Sequence, residues 1–131
     1  MEPLTIGLVG TAEMIVGTND TAPRVGSGQI AVLATPMMIN LIEEAALAAV
    51  EQLLPDGKQS LGTHLDVSHI AATPVGMRVT ARAELVEIDG RKLRFTVSAR
   101  DAVELISAGS HDRVIVTAQR FKTRIDAKVV A

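Results

Sequence analysis

The sequence of 131 residues carries 13 basic and 15 acidic side chains, a formal net charge of −2, and its length fits a single compact domain over residues 1–131. Because 47% of the residues are hydrophobic and only 21% are charged, the composition excludes an intrinsically disordered chain. The absence of cysteine excludes a disulfide framework, a thiol nucleophile and a cysteine-ligated metal site, and with two phenylalanines as the only aromatic residues the chain has almost no platform for stacking nucleic-acid bases.

The predicted elements begin with one strand and one helix. Residues 4–16 mix β-branched residues with glycines and predict a strand, followed by a polar, glycine-rich connection at residues 17–28. Thr35-Pro36 is typical of a helix start, because threonine can cap free amides and proline is tolerated at the first helical position. The helix continues over residues 37–54 and ends at Pro55-Asp56-Gly57. Since it is apolar on nearly all sides, it should be buried.

The second half of the chain predicts strands. Residues 77–85 and 93–99 alternate apolar and polar side chains on either side of an Asp89-Gly90 turn, which predicts a hairpin. A last long strand is expected over about residues 105–121. Its alternation breaks near Ala108-Gly109, where we expect a bulge.

A further strand is predicted over residues 61–69, between the helix and the hairpin. Its odd positions form an apolar stripe that ends at His69, with Thr63 as the polar exception; the apolar members are Leu61, Leu65 and Val67. An antiparallel sheet must bury its apolar face, and only the central helix is available to cover it. The sequence therefore predicts an α+β fold in which about five antiparallel strands wrap around one central helix.

Three polar residues on these elements are candidates for chemistry. Glu43 lies inside the apolar helix, where a carboxylate is costly without a partner, although it can also belong to a narrow solvated face with Glu44 and Glu51. His69 is either a satisfied core or edge residue or a reacting group. Thr35 is either a plain helix cap or a hydroxyl among free amides that favour developing negative charge. The residues alone leave these alternatives open.

Motifs for other chemistries are absent from the sequence. It contains no glycine-rich phosphate loop, no nucleophile elbow and no HExxH zinc motif. Its three histidines lack metal-ligand spacing, so no metal is expected. The His111-Asp112 pair is interpreted as exposed polar residues, and Gly62 alone can simply mark close packing.

The order of these residues carries a resemblance to a known family. The segments that fall in register are ATPMMINLIE at 34–43, SLGT at 60–63, VSHIAATPVG at 67–76, VTARAEL at 79–85, DGRKL at 89–93, VSARD at 97–101 and GSHDR at 109–113. Together they resemble the fluoroacetyl-CoA thioesterase-like family of hotdog enzymes over residues 32–121.

The resemblance implies a hotdog dimer with its sites at the subunit interface. It implies that Thr35 supplies the hydroxyl, Glu43 the carboxylate and His69 the imidazole of a catalytic set. It also implies that the backbone of Gly62 helps to position the substrate and that Arg113 lies near the active site or the CoA channel.

Selectivity for fluoroacetyl is not expected to carry over. The resembling enzyme selects its small fluorinated acyl group with an aromatic lid before the helix, whereas residues 17–33 contain no Phe, Tyr or Trp. We expect hydrolysis of a small acyl-CoA thioester to free acid and CoA, with Glu43 as base or nucleophile and with no cofactor, since coenzyme A is part of the substrate. A non-catalytic acyl-CoA-binding hotdog module is the main alternative. A hydratase is the weaker one, because residues 36–54 contain no histidine.

The remaining expectations concern partners and location. The apolar composition predicts a homodimer or a higher homo-oligomer. Residues 1–65 carry two Lys/Arg against seven Asp/Glu (−5), and residues 66–131 carry eleven against eight (+3). This charge asymmetry fits binding of an anionic substrate that bears a nucleotide cofactor, but it is also explained by charges scattered over the surface. No basic leader and no run of about 18 apolar residues occurs, so we expect a cytoplasmic protein that binds neither membrane nor nucleic acid.

Overall fold

The fold is described from a computed structural model in which residues 3–130 are placed. The strands are β1 (Val9–Ile15), β2 (Lys58–Val67), β3 (Arg78–Asp89), β4 (Lys92–Asp101) and β5 (Leu105–Thr117). The helices are α1 (Ala22–Val25), α2 (Thr35–Val50) and α3 (Ala118–Val129), with 3-10 turns at Thr18–Asp20 and Glu51–Leu53.

The five strands form one antiparallel sheet in the order β1-β3-β4-β5-β2. Strands β1 and β2 are its two edges. The long helix α2 packs against β1, β3 and β4, so that the sheet curls around it. This arrangement confirms the predicted hotdog fold.

The core lies between α2 and the sheet. The helix contributes Met38, Leu41, Ile42, Ala45, Ala46, Ala49 and Val50 to it, all buried. A Cβ atom on Gly10 of β1 would collide with the backbone of Ala45 and Ala49. Glycine at this position therefore allows α2 to lie directly on the edge strand, as expected where two backbones approach closely.

The β3–β4 hairpin agrees with its prediction. The inward stripes of both strands are buried, comprising Val79, Ala81, Ala83 and Leu85 on β3 and Leu93, Phe95, Val97 and Ala99 on β4. Gly90 adopts a φ of 59° in the turn, a conformation that glycine reaches without steric cost.

The predicted end of the last strand was wrong. Strand β5 stops at Thr117, and residues 118–129 form α3 rather than more strand. Its large apolar residues recur at helical spacing as Phe121, Ile125 and Val129 and are exposed, which is the signal that a strand-based interpretation overlooked. None of the helices within residues 3–130 combines the length and apolar character needed to span a membrane.

The irregularities of β2 and β5 also differ from the prediction. On β5 the register against β4 shifts at Ile106, not at Ala108-Gly109. On β2 the register against β5 shifts between Gly62 and His64, so that Thr63 is an extra residue. This bulge reverses the alternation and explains why Thr63 interrupted the apolar stripe.

Candidate active site

Thr35 and His69 meet at the N-terminal end of α2. The Thr35 hydroxyl oxygen lies 2.7 Å from Nδ1 of His69, 34 residues away in sequence. The helix cap position belongs to Ala34, and no side chain caps the helix. The interpretation of Thr35 as a helix cap was therefore wrong, because its hydroxyl is engaged by the histidine instead.

The environment of His69 favours the neutral imidazole. The ring follows the end of β2 and is half-buried. Burial lowers the pKa of His69, and the backbone of Ala71 opposes only part of that effect. Within the described residues, the Nε2 atom is buried and makes no hydrogen bond.

The Thr35–His69 pair lines an open cleft of about 310 Å³. The other lining residues are small or aliphatic, namely Ala22, Ser27, Val32, Leu33, Ile70, Ala71 and Ala72. Part of this wall comes from α1 and the residues after it, which the sequence had identified only as a polar, glycine-rich connection. Among the described residues that line the cleft, none is Phe, Tyr or Trp.

Glu43 lies in a second cluster with Gly62 and Arg113. Its Oε2 atom is 3.3 Å from Nη1 of Arg113, and the two side chains are 36% and 5% exposed. A Cβ atom on Gly62 would lie only 2.6 Å from the same carboxylate oxygen. The structure thus brings together the predicted carboxylate and the two residues expected to bind substrate, and the partly exposed Glu43 side chain is paired with Arg113.

Three residues of this second cluster were missed or misinterpreted. Arg113 Nε donates to the Ser60 hydroxyl at 2.8 Å, and that hydroxyl donates to Glu51 at 2.6 Å. Glu51 is therefore not a solvated residue like the exposed Glu44. His111, interpreted as exposed, is fully buried, because β5 turns it inward together with Arg113, two residues on.

The hydrogen bonds of His111 define its protonation. Nδ1 lies 2.9 Å from the carbonyl oxygen of His64 and must donate to it, so Nε2 accepts from Arg113 Nη1 at 3.0 Å. Burial is the main cause that lowers the pKa of His111, and the charge of Arg113 adds to it. The ring stacks on Phe95 with centroids 6.2 Å apart.

The two clusters are separate within one chain. Thr35 and Glu43 are eight residues apart on α2, a distance of about 12 Å along the helix axis. One protomer thus brings Thr35 to His69 and Glu43 to Arg113, but does not bring all three predicted catalytic residues together. No group of three His, Asp or Glu side chains within residues 3–130 is arranged to hold a metal ion.

The comparisons with known proteins first define the class. A hot-dog-like protein from Thermanaerovibrio acidaminovorans matches with a TM-score of 0.85 at 19% identity, covering 94% of this chain and 91% of that one, which establishes the hotdog fold. The solved fluoroacetyl-CoA thioesterase FlK matches with a TM-score of 0.92 at 33% identity, covering 97% and 98%. The chain thus has the fold of a hotdog thioesterase.

The family follows from the sequence comparisons. A family model described as fluoroacetyl-CoA-specific thioesterase matches residues 16–119. The fluoroacetyl-CoA thioesterase of Streptantibioticus cattleyicolor is 41% identical over 100 residues, which make up 76% of this chain and 72% of that protein. The chain belongs to this family of acyl-CoA thioesterases and is an enzyme of the thioesterase class.

Proposed function

We propose that this enzyme hydrolyses small acyl-CoA thioesters to the free acid and CoA. The observation that carries the proposal is the 2.7 Å contact between the Thr35 hydroxyl and His69 Nδ1 inside an open cleft. A thioester carbonyl placed there lies beside the N-terminus of α2, whose partial positive charge favours a developing oxyanion. The short aliphatic side chains of the cleft wall suit a small acyl group.

We further propose that the reaction centre forms between two copies of the chain. Strand β2 is a sheet edge with unpaired backbone groups, and such an edge is a natural site for pairing with a second copy. Antiparallel pairing of two β2 strands sets the N-terminal end of one α2 beside the middle of the other. The partner's Glu43 then approaches the Thr35–His69 pair, which overcomes the separation of about 12 Å within one helix.

In the proposed mechanism, Glu43 is the base or the nucleophile. As a base it takes a proton from a water molecule whose oxygen attacks the carbonyl carbon, while Thr35 and the start of α2 stabilise the oxyanion. Collapse of the tetrahedral intermediate breaks the carbon–sulfur bond, and a proton passes to the CoA sulfur with His69 as its carrier. In the covalent variant, Glu43 attacks the carbonyl carbon directly, the carbon–sulfur bond breaks to release CoA as a thiolate that takes up a proton, and water then hydrolyses the anhydride to free acid and Glu43. Neither route needs a separate cofactor.

A non-catalytic acyl-CoA-binding module is the competing function for the same cleft. The two are separated by mixing the protein with acetyl-, butyryl- and longer acyl-CoA and measuring release of free thiol. We expect multiple turnovers with the short substrates. Saturable binding of acyl-CoA without thiol release would favour the binding module.

A further inference from the structure

Arg113 is a nearly buried cation. It donates hydrogen bonds to several acceptors, and the carboxylate of Glu43 is one of them. Its Nε donates to the Ser60 hydroxyl at 2.8 Å and its Nη2 to the Ser60 carbonyl at 3.1 Å. Its Nη1 donates to His111 Nε2 at 3.0 Å and to Glu43 Oε2 at 3.3 Å. The contact with Glu43 is thus the longest of the four.

The acceptors other than Glu43 are themselves held in place. The Glu51 carboxylate accepts two hydrogen bonds from Ser60, one from its hydroxyl at 2.6 Å and one from its backbone amide at 2.9 Å. The Ser60 hydrogen is therefore occupied, and the oxygen can only accept from Arg113. His111 is fixed in the same way, because its Nδ1 hydrogen is taken up by the carbonyl of His64 in the β2 bulge.

This arrangement limits how Arg113 can pair with Glu43. Arginine forms its strongest ion pairs when two N–H groups face both oxygens of a carboxylate. Here Ser60 accepts from Nε and from one hydrogen of Nη2, and His111 accepts one hydrogen of Nη1. Of the two N–H groups that remain, only the one on Nη1 contacts Glu43. Among the described residues, Glu43 receives this one hydrogen bond, which leaves its other carboxylate oxygen open to a reactant.

We propose that His111 and Ser60 are positioning residues that hold Arg113 in a one-contact geometry and so keep the Glu43 carboxylate anchored but reactive. The inference rests on the proposed role of Glu43. Removing the acceptor on His111 frees the guanidinium to turn, so that Nη1 and the second hydrogen of Nη2 face both oxygens of Glu43, the carboxylate that Arg113 already contacts. The ion pair then tightens, and the carboxylate becomes a weaker base.

The groups around Glu43 come from β5, from β2 and from the 3-10 turn that follows α2. Strand β5 presents Arg113 and the neutral His111, and β2 presents the uncharged Gly62. Glu51 acts from behind Ser60. Asp112 is turned away and paired with Arg94 on β4, so within residues 3–130 Arg113 is the cation in contact with Glu43.

The test is His111→Phe, which keeps a ring against Phe95 and removes both nitrogens. Carbon-13 NMR of the Glu43 carboxyl should show its titration midpoint shifted downward by about one pH unit, the lower end of the effect of a close opposite charge. The acid limb of the pH–rate profile should move by the same amount. kcat should fall by up to about tenfold, since one unit corresponds to a tenfold weaker base, with KM nearly unchanged.

His111→Gln, which keeps an acceptor near the position of Nε2, should restore both the midpoint and kcat. Ser107→Ala is the matched control, because Ser107 is an equally buried polar residue of β5 whose hydroxyl makes no hydrogen bond within residues 3–130. If His111→Phe does not fold, Ser60→Ala is titrated instead, combined with Glu51→Gln so that the freed Nε hydrogen of Arg113 has no neighbouring carboxylate other than Glu43.

An unchanged Glu43 midpoint in a folded variant overturns the inference. So does a loss of kcat that leaves the midpoint in place and is not rescued by glutamine, because that result describes a structural defect. If the unaltered protein hydrolyses no acyl-CoA, the proposed function fails, but the NMR titration still decides whether His111 and Ser60 control the carboxylate.

Discussion

Gly62→Ala should displace the Glu43 carboxylate and lower catalysis while leaving the stability of the fold nearly unchanged. The new Cβ would lie 2.6 Å from Glu43 Oε2, 3.1 Å from His111 Cε1 and 3.5 Å from Arg113 Nη1. Ordinary contact begins near 3.4 Å, so the carboxylate must retreat by about 0.8 Å. That oxygen is the end of a flexible, 36% exposed side chain, so its movement costs little stability. The buried His111 ring must also give by about 0.3 Å, which adds a small loss of stability.

The catalytic effect of the same change should be large. A displacement of about 1 Å in a reacting group can cost roughly 100-fold in rate, so we expect kcat to fall by about that factor while the melting temperature stays within a few degrees. The assay is steady-state thiol release, with calorimetry on the same samples. Gln59→Ala, at an exposed position of the same strand, is the control.

A double variant tests whether Gly62 acts through Glu43. If it does, adding Gly62→Ala to Glu43→Gln should cause little further loss, because residues that act as one unit are not additive. Normal kcat in a folded Gly62→Ala variant would show that the position of Glu43 does not control the reaction.

Four further results are expected. Glu43→Gln should lower kcat by about two or more orders of magnitude, as for loss of a general base, whereas Glu44→Gln on the exposed side of the same helix should be normal; equal effects would remove Glu43 from the mechanism. Light scattering at micromolar concentration should give at least a dimer, since one protomer leaves the β2 edge unpaired, and a stable monomer would refute the shared site. The kcat/KM ratio of fluoroacetyl- to acetyl-CoA, corrected for intrinsic reactivity, should stay within about 200-fold, the range for one small group in an aliphatic pocket; a ratio above roughly 1,000-fold would show that no aromatic lid is needed. Burial lowers the pKa of His69 and of His111, so the unfolded chain takes up these protons at a higher pH than the folded one. Stability should therefore be full above about pH 6.5 and decline as the pH falls below it, and a melting temperature that rises on acidification from pH 7 to 5 would contradict this.

The sequence by itself determined the elements whose signal is periodic. The alternation of the β3–β4 hairpin follows directly from strand spacing and was predicted with its buried face. The helical spacing of α2 was predicted as well, but the helix is buried on one side only, and Ala48, assigned to its apolar residues, is exposed. The segments around Thr35, Glu43 and His69 also identified the family. Such signals are readable because each depends on neighbours within a few residues along the chain.

Tertiary structure alone decided which polar residues meet. Ser60 and Arg113 are 53 residues apart and come together because the bulge at Thr63 and the pairing of β2 with β5 turn both inward. A single inserted residue exchanges the two faces of a strand. Alternation along the sequence therefore predicted that Leu61 faces inward, whereas in the structure Gly62 faces Glu43 and Arg113. His111 was misjudged for the same reason. Its burial depends on the register between strands, and register is a property of the assembled sheet.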